Sequence, residues 1–296
     1  MFTNIAFTKE KLIINRLRII TLTTDFGERD YAVAAVKGKI YTEIPNVAVV
    51  DISHLIAPFD VMQTHYILKN AYHHFPKGSV HIIGVDAEAT PERKHLIMKL
   101  RGHYFIGADN GIFHLLSENE SDVEVYELFN TTTKNQFPVL HFFPKVAKDL
   151  LEGIPLQVLG NRIEKCFEMT YFKPEVSDNK TFITGTVIYI DHYGNAVSNI
   201  PKSLFHEVGQ GRPFEVIFNM YSFTKIHENY SDIIDFSIPK QRRAIPDGER
   251  LILFNSLDYL QVSVYKSNLH TVGGASSLLG IDYLDQVSIR FLDKKK

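Results

Sequence analysis

Asp86 and Arg93 stand seven residues apart in the stretch "GVDAEATPER" (84–93), where the apolar run "SVHII" leads into the carboxylate and a glycine-free loop separates the two charges. A carboxylate at the end of a buried strand, with a guanidinium just across a loop, suits the handling of a water molecule. The carboxylate can accept or orient its proton. The guanidinium can stabilise developing hydroxide character. The same pair also reads as a plain surface ion pair, which contributes little. The spacing alone leaves both readings open.

Other polar clusters carry similar double readings. In "TTDFGERDY" (23–31), Asp25 follows an apolar strand and precedes Gly27. Such an Asp binds a sugar diol through charge-assisted hydrogen bonds, or serves as a turn and cap residue. The glycine spacing of a phosphate loop is absent. "DISH" (51–54) with "PFD" (58–60) brings Asp, His and Asp close in sequence, but no HxxE, HxH or HExxH spacing occurs, so no metal is expected. "GADNGIF" (107–113) holds an Asn-Gly turn signal and reads as structural. In "YIDHYGNAVSNI" (189–200), Asp191, Tyr193, Asn195 and Asn199 bunch at the end of an apolar strand, more polar and aromatic groups than a hairpin needs, and they suit a small amphipathic ligand.

These residues need elements to hold them. "RIITLTT" (18–24), "VAVVDI" (47–52) and "SVHIIGVD" (79–86) read as buried strands. Between them lie helix-like segments: one through "YAVAAVKGKIYTEI" with Asp30 as its expected cap, and one over 58–75 with Pro58 and Asp60 near its start. "HLIMKL" and "HYFIGA" read as a hairpin around Arg101–Gly102, and "PKVAKDLLEG" (144–153) as a helix begun by Pro144 and stopped by Gly153. The alternation predicts an α/β domain with a mostly parallel sheet, whose ligands sit beyond the C-terminal strand ends. Asp25, Asp51 and Asp86 are read at such ends. Past residue 174 strands and turns dominate, predicting a smaller all-β, barrel-like domain, so the domains are drawn as 1–174 and 175–296, with 231–250 as a long surface loop.

Composition narrows the function classes. The chain has 296 residues, a net charge of −2 and one cysteine, Cys166. That balance gives no electrostatic case for nucleic acid or a membrane surface as partner. A single cysteine excludes an intramolecular disulfide and a thiolate metal cluster. The first residues, broken by Lys9, Glu10, Lys11, Arg16 and Arg18, are not expected to be a signal peptide, and no apolar window is long enough for a membrane span. A cytoplasmic location is the expectation.

Seven segments in order, from about Ile19 to Phe291, together resemble one family: "TDFGERDYAVAAVKGKI", "VVDISHLIAPFDV", "FPKGSVHIIGVD", "ADNGIF", "LLEGIPLQVLG", "YIDHYGNAVSNI" and "GGASSLLGI". It is the S-adenosyl-L-methionine (SAM) hydroxide adenosyltransferases, or SAM hydrolases, related to the SAM-dependent fluorinase and chlorinase. The resemblance implies an α/β N-terminal domain, a barrel-like C-terminal domain, and a homotrimer with SAM between the N-terminal domain of one subunit and the C-terminal domain of the next. It implies no cofactor, because SAM is the substrate. By position, Asp25 resembles the residue that grips the ribose hydroxyls and Phe59 the aromatic beside the ribose. Asp191 and Asn195 resemble contacts to the methionine amino group and the nucleoside, and Tyr193 the ring that stacks on adenine. Ser256 resembles a contact to the methionine carboxylate, and Ala275 the residue whose backbone reads the adenine edge.

In these hydrolases a strand-end Asp is followed seven residues later by an Arg, as with Asp86 and Arg93. Displacement at C5′ of SAM expels a neutral thioether, so no acid is needed at sulfur. What is needed is water in line with the C–S bond. A guanidinium beside a carboxylate weakens it as a base, so positioning counts for more than basicity. Charge is neutralised in the transition state, which favours exclusion of bulk water.

This chain departs from the pattern in three places. The loop after Asp86 lacks the relatives' glycines. The family's histidine falls, by counting back from Pro144, on Phe137, with His141 as the nearest substitute. Leu257 stands where the halogenases have an Arg after Ser256. Phe137 also replaces the halide-binding Ser of the halogenases, which argues against halogenation. The leading expectation is a metal-independent SAM hydrolase yielding adenosine and L-methionine, with Asp86, Arg93 and His141 handling the water. The alternative is a catalytically weak SAM- or adenosine-binding protein on the same fold. A metal-dependent hydrolase is the least favoured.

Overall fold

A computed structural model describes residues 17–129, 137–244 and 246–293. The chain forms two compact units, Met1–Met169 and Thr170–Lys296. The junction falls a few residues before the expected 174/175 boundary.

The first unit contains, in chain order, β1 (Arg18–Thr24), α1 (Ala32–Glu43), β2 (Val47–Ser53), α2 (Val61–Ala71), β3 (Val80–Gly84), β4 (His95–Leu100), β5 (His103–Ala108), α3 (Ile112–Ser117), β6 (Val123–Leu128), α4 (Pro138–His141), α5 (Phe143–Leu151), α6 (Leu156–Leu159) and β7 (Gly160–Ile163). Its seven-stranded sheet has the order β2-β1-β3-β5-β4-β6-β7. Neighbours are parallel from β2 to β5 and antiparallel from β5 to β7. The α/β fold is as read, but the sheet is mixed rather than mostly parallel. The reason is the tight β4–β5 turn, where Arg101 and Gly102 take φ of 50° and 85°. So short a connection joins only antiparallel strands.

The strands β1 and β3 are buried on both faces, as their continuous apolar runs require. Asp60 caps α2 by accepting a hydrogen bond from Gln63 N at 2.8 Å. Asp30 does not cap α1. Tyr31, already in a helical conformation, occupies that place, and no side chain caps the end. The helix α5 starts at Phe143–Pro144 and turns Val146, Ala147 and Leu150 into the core.

The second unit contains β8 (Glu175–Val176), β9 (Phe182–Ile190), β10 (Ala196–Pro201), α7 (Lys202–Gly209), β11 (Phe214–Phe218), β12 (Tyr221–Phe223), β13 (Ile226–His227), β14 (Arg250–Phe254), β15 (Tyr259–Val264), α8 (Ala275–Leu279) and β16 (Gln286–Phe291). Its nine-stranded sheet, ordered β12-β11-β16-β9-β10-β15-β14-β13 with β8 beside β9, curls into a nearly closed barrel-like form. The helices α7 and α8 are too short to show a helical period in sequence.

Gly185 on β9 is packed closely under two side chains of β10. A Cβ there would lie 2.3 Å from Asn199 Oδ1 and 2.6 Å from Ile200 Cγ1. Asn199 is spoken for structurally: it accepts from Thr186 N and donates to the Phe172 carbonyl, each at 2.9 Å. It therefore braces the barrel rather than facing a ligand. Gly185→Ala is expected to destabilise the protein by ~2–3 kcal/mol through overpacking and loss of these bonds. Urea unfolding with an unchanged midpoint would contradict this.

Candidate functional site

Since β1, β2 and β3 are parallel neighbours, Thr24, Ser53 and Gly84 end at one edge of the sheet. Asp25 and Asp86 emerge there. Asp51 does not. It lies within β2, opposite Leu22, and its Oδ2 accepts from Lys37 Nζ on α1 at 2.5 Å. Burial pushes the Asp51 carboxyl up, but Lys37 and His54 outweigh it and hold it below its ordinary value.

Asp86 and Arg93 form an ion pair between Oδ2 and Nη1, each side chain about a quarter exposed (27% and 25%). Water reaches the pair, yet both groups are held. Arg93 Nε also donates to Glu88 O at 3.2 Å, and Thr90 N donates to Arg93 O at 2.8 Å, closing the loop on itself. The loop has no glycine, and the left-handed conformation falls on Asp86 itself, with φ of 43°. Asp tolerates that region better than most residues but at some cost. Anchors on either side hold it there: Asn110 Nδ2 donates to Val85 O at 3.0 Å, and His95 Nε2 lies 2.9 Å from Ala87 O. Burial keeps His95 below its ordinary pKa, so its neutral ring donates from Nε2.

Asp25 and Phe59 are brought together. Phe59 N donates to Asp25 Oδ2 at 2.9 Å, and the Phe59 ring stands 72% exposed. Beside them is an apolar wall. The Phe137 ring packs edge-on against Phe26, with centroids 5.4 Å apart. A Cβ on Gly84 would come within 3.3 Å of Phe26 and 3.2 Å of Val139.

His141 is not brought to the ion pair. It ends α4 on an exposed position and meets the edge of Phe137 at 6.4 Å. Among the described residues no hydrogen bond or ion pair joins it to Asp86 or Arg93. Residues 130–136, just before α4, lie outside the described residues.

In the second unit Asp191 organises the β9–β10 turn. Its Oδ1 accepts from Tyr193 N and Asn195 N, each at 2.9 Å, and its Oδ2 from Asn195 Nδ2 at 2.8 Å. This leaves Asn195 Oδ1 buried with no partner among the described residues. A buried acceptor of this kind calls for a donor. Tyr193 projects from the same turn, 61% exposed. The start of α8 locks against it: Ser276 N donates to Gly194 O at 3.0 Å, and a Cβ on Gly274 would meet Tyr193 O at 2.6 Å. Ala275, fully buried, therefore sits with Asp191, Tyr193 and Asn195.

Ser256 does not. It lies in the β14–β15 turn, where Asn255 Oδ1 accepts from Leu257 N and Tyr259 N at 3.0 and 3.1 Å. Tyr259 pairs with Pro201 at the far end of β10, whereas Ala196 pairs with Val262 near the other end of β15. Ser256 and Asn195 are thus at opposite ends of these strands. Among the described residues no group of His, Cys, Asp and Glu side chains is placed to hold a metal ion, and no helix is long and apolar enough to cross a membrane.

Sequence reasoning missed the anchors. Asn110 passed as a turn residue and His95 went unremarked. The signal available was a polar residue bordering an apolar strand, which identifies no partner.

Residues 20–160 match the SAM hydroxide adenosyltransferase N-terminal domain, and residues 185–288 match its C-terminal domain. The chain is 29% identical to the (R)-S-adenosyl-L-methionine hydrolase of Methanocaldococcus jannaschii, over 92% of this chain and 96% of that protein. It is 23% identical to a fluorinase of Actinoplanes sp., over 83% and 90% of the two chains. In structure it is similar to an uncharacterized conserved protein from Thermotoga maritima, with a TM-score of 0.76 at 26% identity, covering 92% of this chain and 99% of that one. With both domains matched in order around the paired Asp86 and Arg93, the chain belongs to the SAM hydroxide adenosyltransferase family.

Proposed function

We propose that the protein hydrolyses SAM to adenosine and L-methionine by in-line attack of water at C5′. The observation that carries this reading is the Asp86–Arg93 pair, held solvent-accessible at the end of β3 beside Asp25 and Phe59 in a chain of this family. Asp86 orients the water and takes its proton, Arg93 steadies the hydroxide character, and the thioether leaves as neutral methionine. SAM and water suffice, so no cofactor is required. Asp25 holds the ribose hydroxyls and Phe59 flanks the sugar. Asp191, Tyr193, Asn195 and Ala275 serve the methionine amino group and adenine. The assembly is a homotrimer in the cytoplasm, with each SAM between unlike units of adjacent subunits. Light scattering on the purified protein tests the trimer.

The direct test is incubation with SAM, without metal or halide, followed by chromatography. Adenosine and methionine in proportion to enzyme support the reading. Intact SAM with nucleoside bound supports a second one, a weak or inactive binder, which the apolar Phe137–Phe26 contact and a His141 not bonded to Asp86 or Arg93 favour. Asp25→Ala is expected to raise KM at least ~10-fold with a smaller change in kcat, because the lost charge-assisted bonds serve bound substrate and transition state alike. An unchanged KM would remove Asp25 from the site.

A further inference from the structure

We infer that His54 and Thr24 are positioning residues for substrate binding, clamping the backbone on both sides of Asp25. The inference rests on the reading of Asp25 as the ribose contact.

Lys37, Asp51, His54 and Thr24 form a continuous polar chain from the surface of α1 to the end of β1. Lys37 Nζ reaches Asp51 Oδ2 at 2.5 Å, Asp51 Oδ1 lies 3.0 Å from His54 Nε2, and His54 Nδ1 lies 2.7 Å from Thr24 Oγ1. The inner members are buried, His54 at 4% exposure and Thr24 at 1%. The protonation pattern follows from the partners. Asp51 offers His54 only acceptor oxygens, so Nδ1 is left to accept the Thr24 hydroxyl proton, and Thr24 Oγ1 in turn accepts from Phe26 N at 3.4 Å. The ring proton is then on Nε2 and faces Asp51, though off the line of a straight hydrogen bond.

The consequence falls on Asp25. His54 O accepts from Gly27 N at 2.8 Å, while Thr24 holds Phe26 N. Residues Thr24, Phe26 and Gly27, which bracket Asp25, thus all answer to one histidine. Asp25 gives Oδ2 to Phe59 N and keeps Oδ1 without a partner among the described residues, facing a ligand hydroxyl as a ready acceptor. A buried polar chain costs more than apolar packing where a member is left unsatisfied, and His54 Nε2 makes no straight hydrogen bond, so the chain is kept at the end of β1 at some cost in stability. The Thr–His–Asp order does not make Thr24 a nucleophile, because its hydroxyl is sealed from any substrate.

The test compares steady-state SAM hydrolysis and calorimetric SAM binding for the wild type, Thr24→Val and Thr24→Ser. Valine keeps the shape and loses the hydroxyl, whereas serine keeps the hydroxyl. Thr24→Val is expected to raise KM and Kd about tenfold with kcat within about twofold, and Thr24→Ser to stay within about twofold of wild type in all three. Unchanged KM and Kd in Thr24→Val overturn the inference, as does a kcat loss matching the KM rise. If Thr24→Val fails to fold, Asp51→Asn at the exposed end decides: a KM rise of about threefold supports the clamp, and an unchanged KM overturns it. Wild-type protein that binds SAM while the variants behave like it sinks the clamp alone. Wild-type protein that does not bind SAM sinks the reading of the site as well.

Discussion

Asp86→Asn is expected to lower kcat for SAM hydrolysis by about 10²–10⁴-fold while leaving SAM affinity nearly unchanged, the range over which a positioned acid–base group contributes. Asparagine is the informative replacement. It tolerates the left-handed conformation that residue 86 adopts, at φ of 43°, so the loop need not rearrange. It also keeps a carbonyl oxygen toward Arg93 while losing the negative charge. In the proposed mechanism the carboxylate acts on water, not on the nucleoside, so the loss belongs in kcat and not in binding. Product formation measured at saturating SAM, together with calorimetric binding, separates the two. Wild-type turnover in Asp86→Asn would refute the mechanism. A large loss of binding with kcat preserved would assign Asp86 to substrate recognition instead.

Acidification is expected to remove several kcal/mol of stability. Burial holds His81 neutral in the fold, pulling its pKa from 6.5 down to about 3, with His103 adding to the effect. Burial, with Lys69, likewise brings His65 from 6.5 down to about 4. The unfolded chain takes up these protons more readily than the folded one. The stabilisation is therefore complete above the ordinary pKa of 6.5 and is lost as pH falls through the window from there toward about 4 and 3. Each group accounts for on the order of 3 kcal/mol by that linkage. The neutral His81 ring already has a partner on each nitrogen, Thr21 Oγ1 at 2.7 Å from Nδ1 and His103 Nδ1 at 3.1 Å from Nε2, and a charge there would lose its hydration. Urea midpoints measured from about pH 7.5 to about pH 4.5 should fall steadily, and His65→Leu should flatten part of that slope. Midpoints independent of pH over this range would contradict neutral burial.

Much of the first unit's architecture was legible because β1 and β3 bury both faces; β2, read as another buried strand, instead leaves Val50 and Asp51 exposed. The runs before Asp25 and Asp86 are mostly apolar or β-branched and almost uncharged, and a strand of that kind implies covering helices and ligand chemistry at its C-terminal end. Asp60, as a cap followed by a helical period, was legible for the same local reason. What misled was local likeness without a partner. Asp30 looks like a cap beside a helix that begins with Tyr31. Asp51 looks like a strand-end carboxylate but lies within β2 and answers to Lys37 on α1. Asn199 looks like part of a ligand cluster but braces β9.

By itself the sequence determined the two-part organisation, the α/β and barrel-like classes, the seven-residue spacing of Asp86 and Arg93, and the family they point to. Each is written in local pattern, in periodicity, turn residues and spacing. The tertiary structure alone decided which charges meet. It joined Asp86 to Arg93 and Asp25 to Phe59, and left His141 away from the ion pair. It put Ser256 at the opposite end of its strands from Asn195 and set Asn110, His95 and the His54–Thr24 chain behind the strand ends that carry Asp25 and Asp86. The physical reason is that a hydrogen bond or ion pair depends on distances of about 3 Å between groups far apart in the chain, and only strand register and helix packing bring such groups within reach.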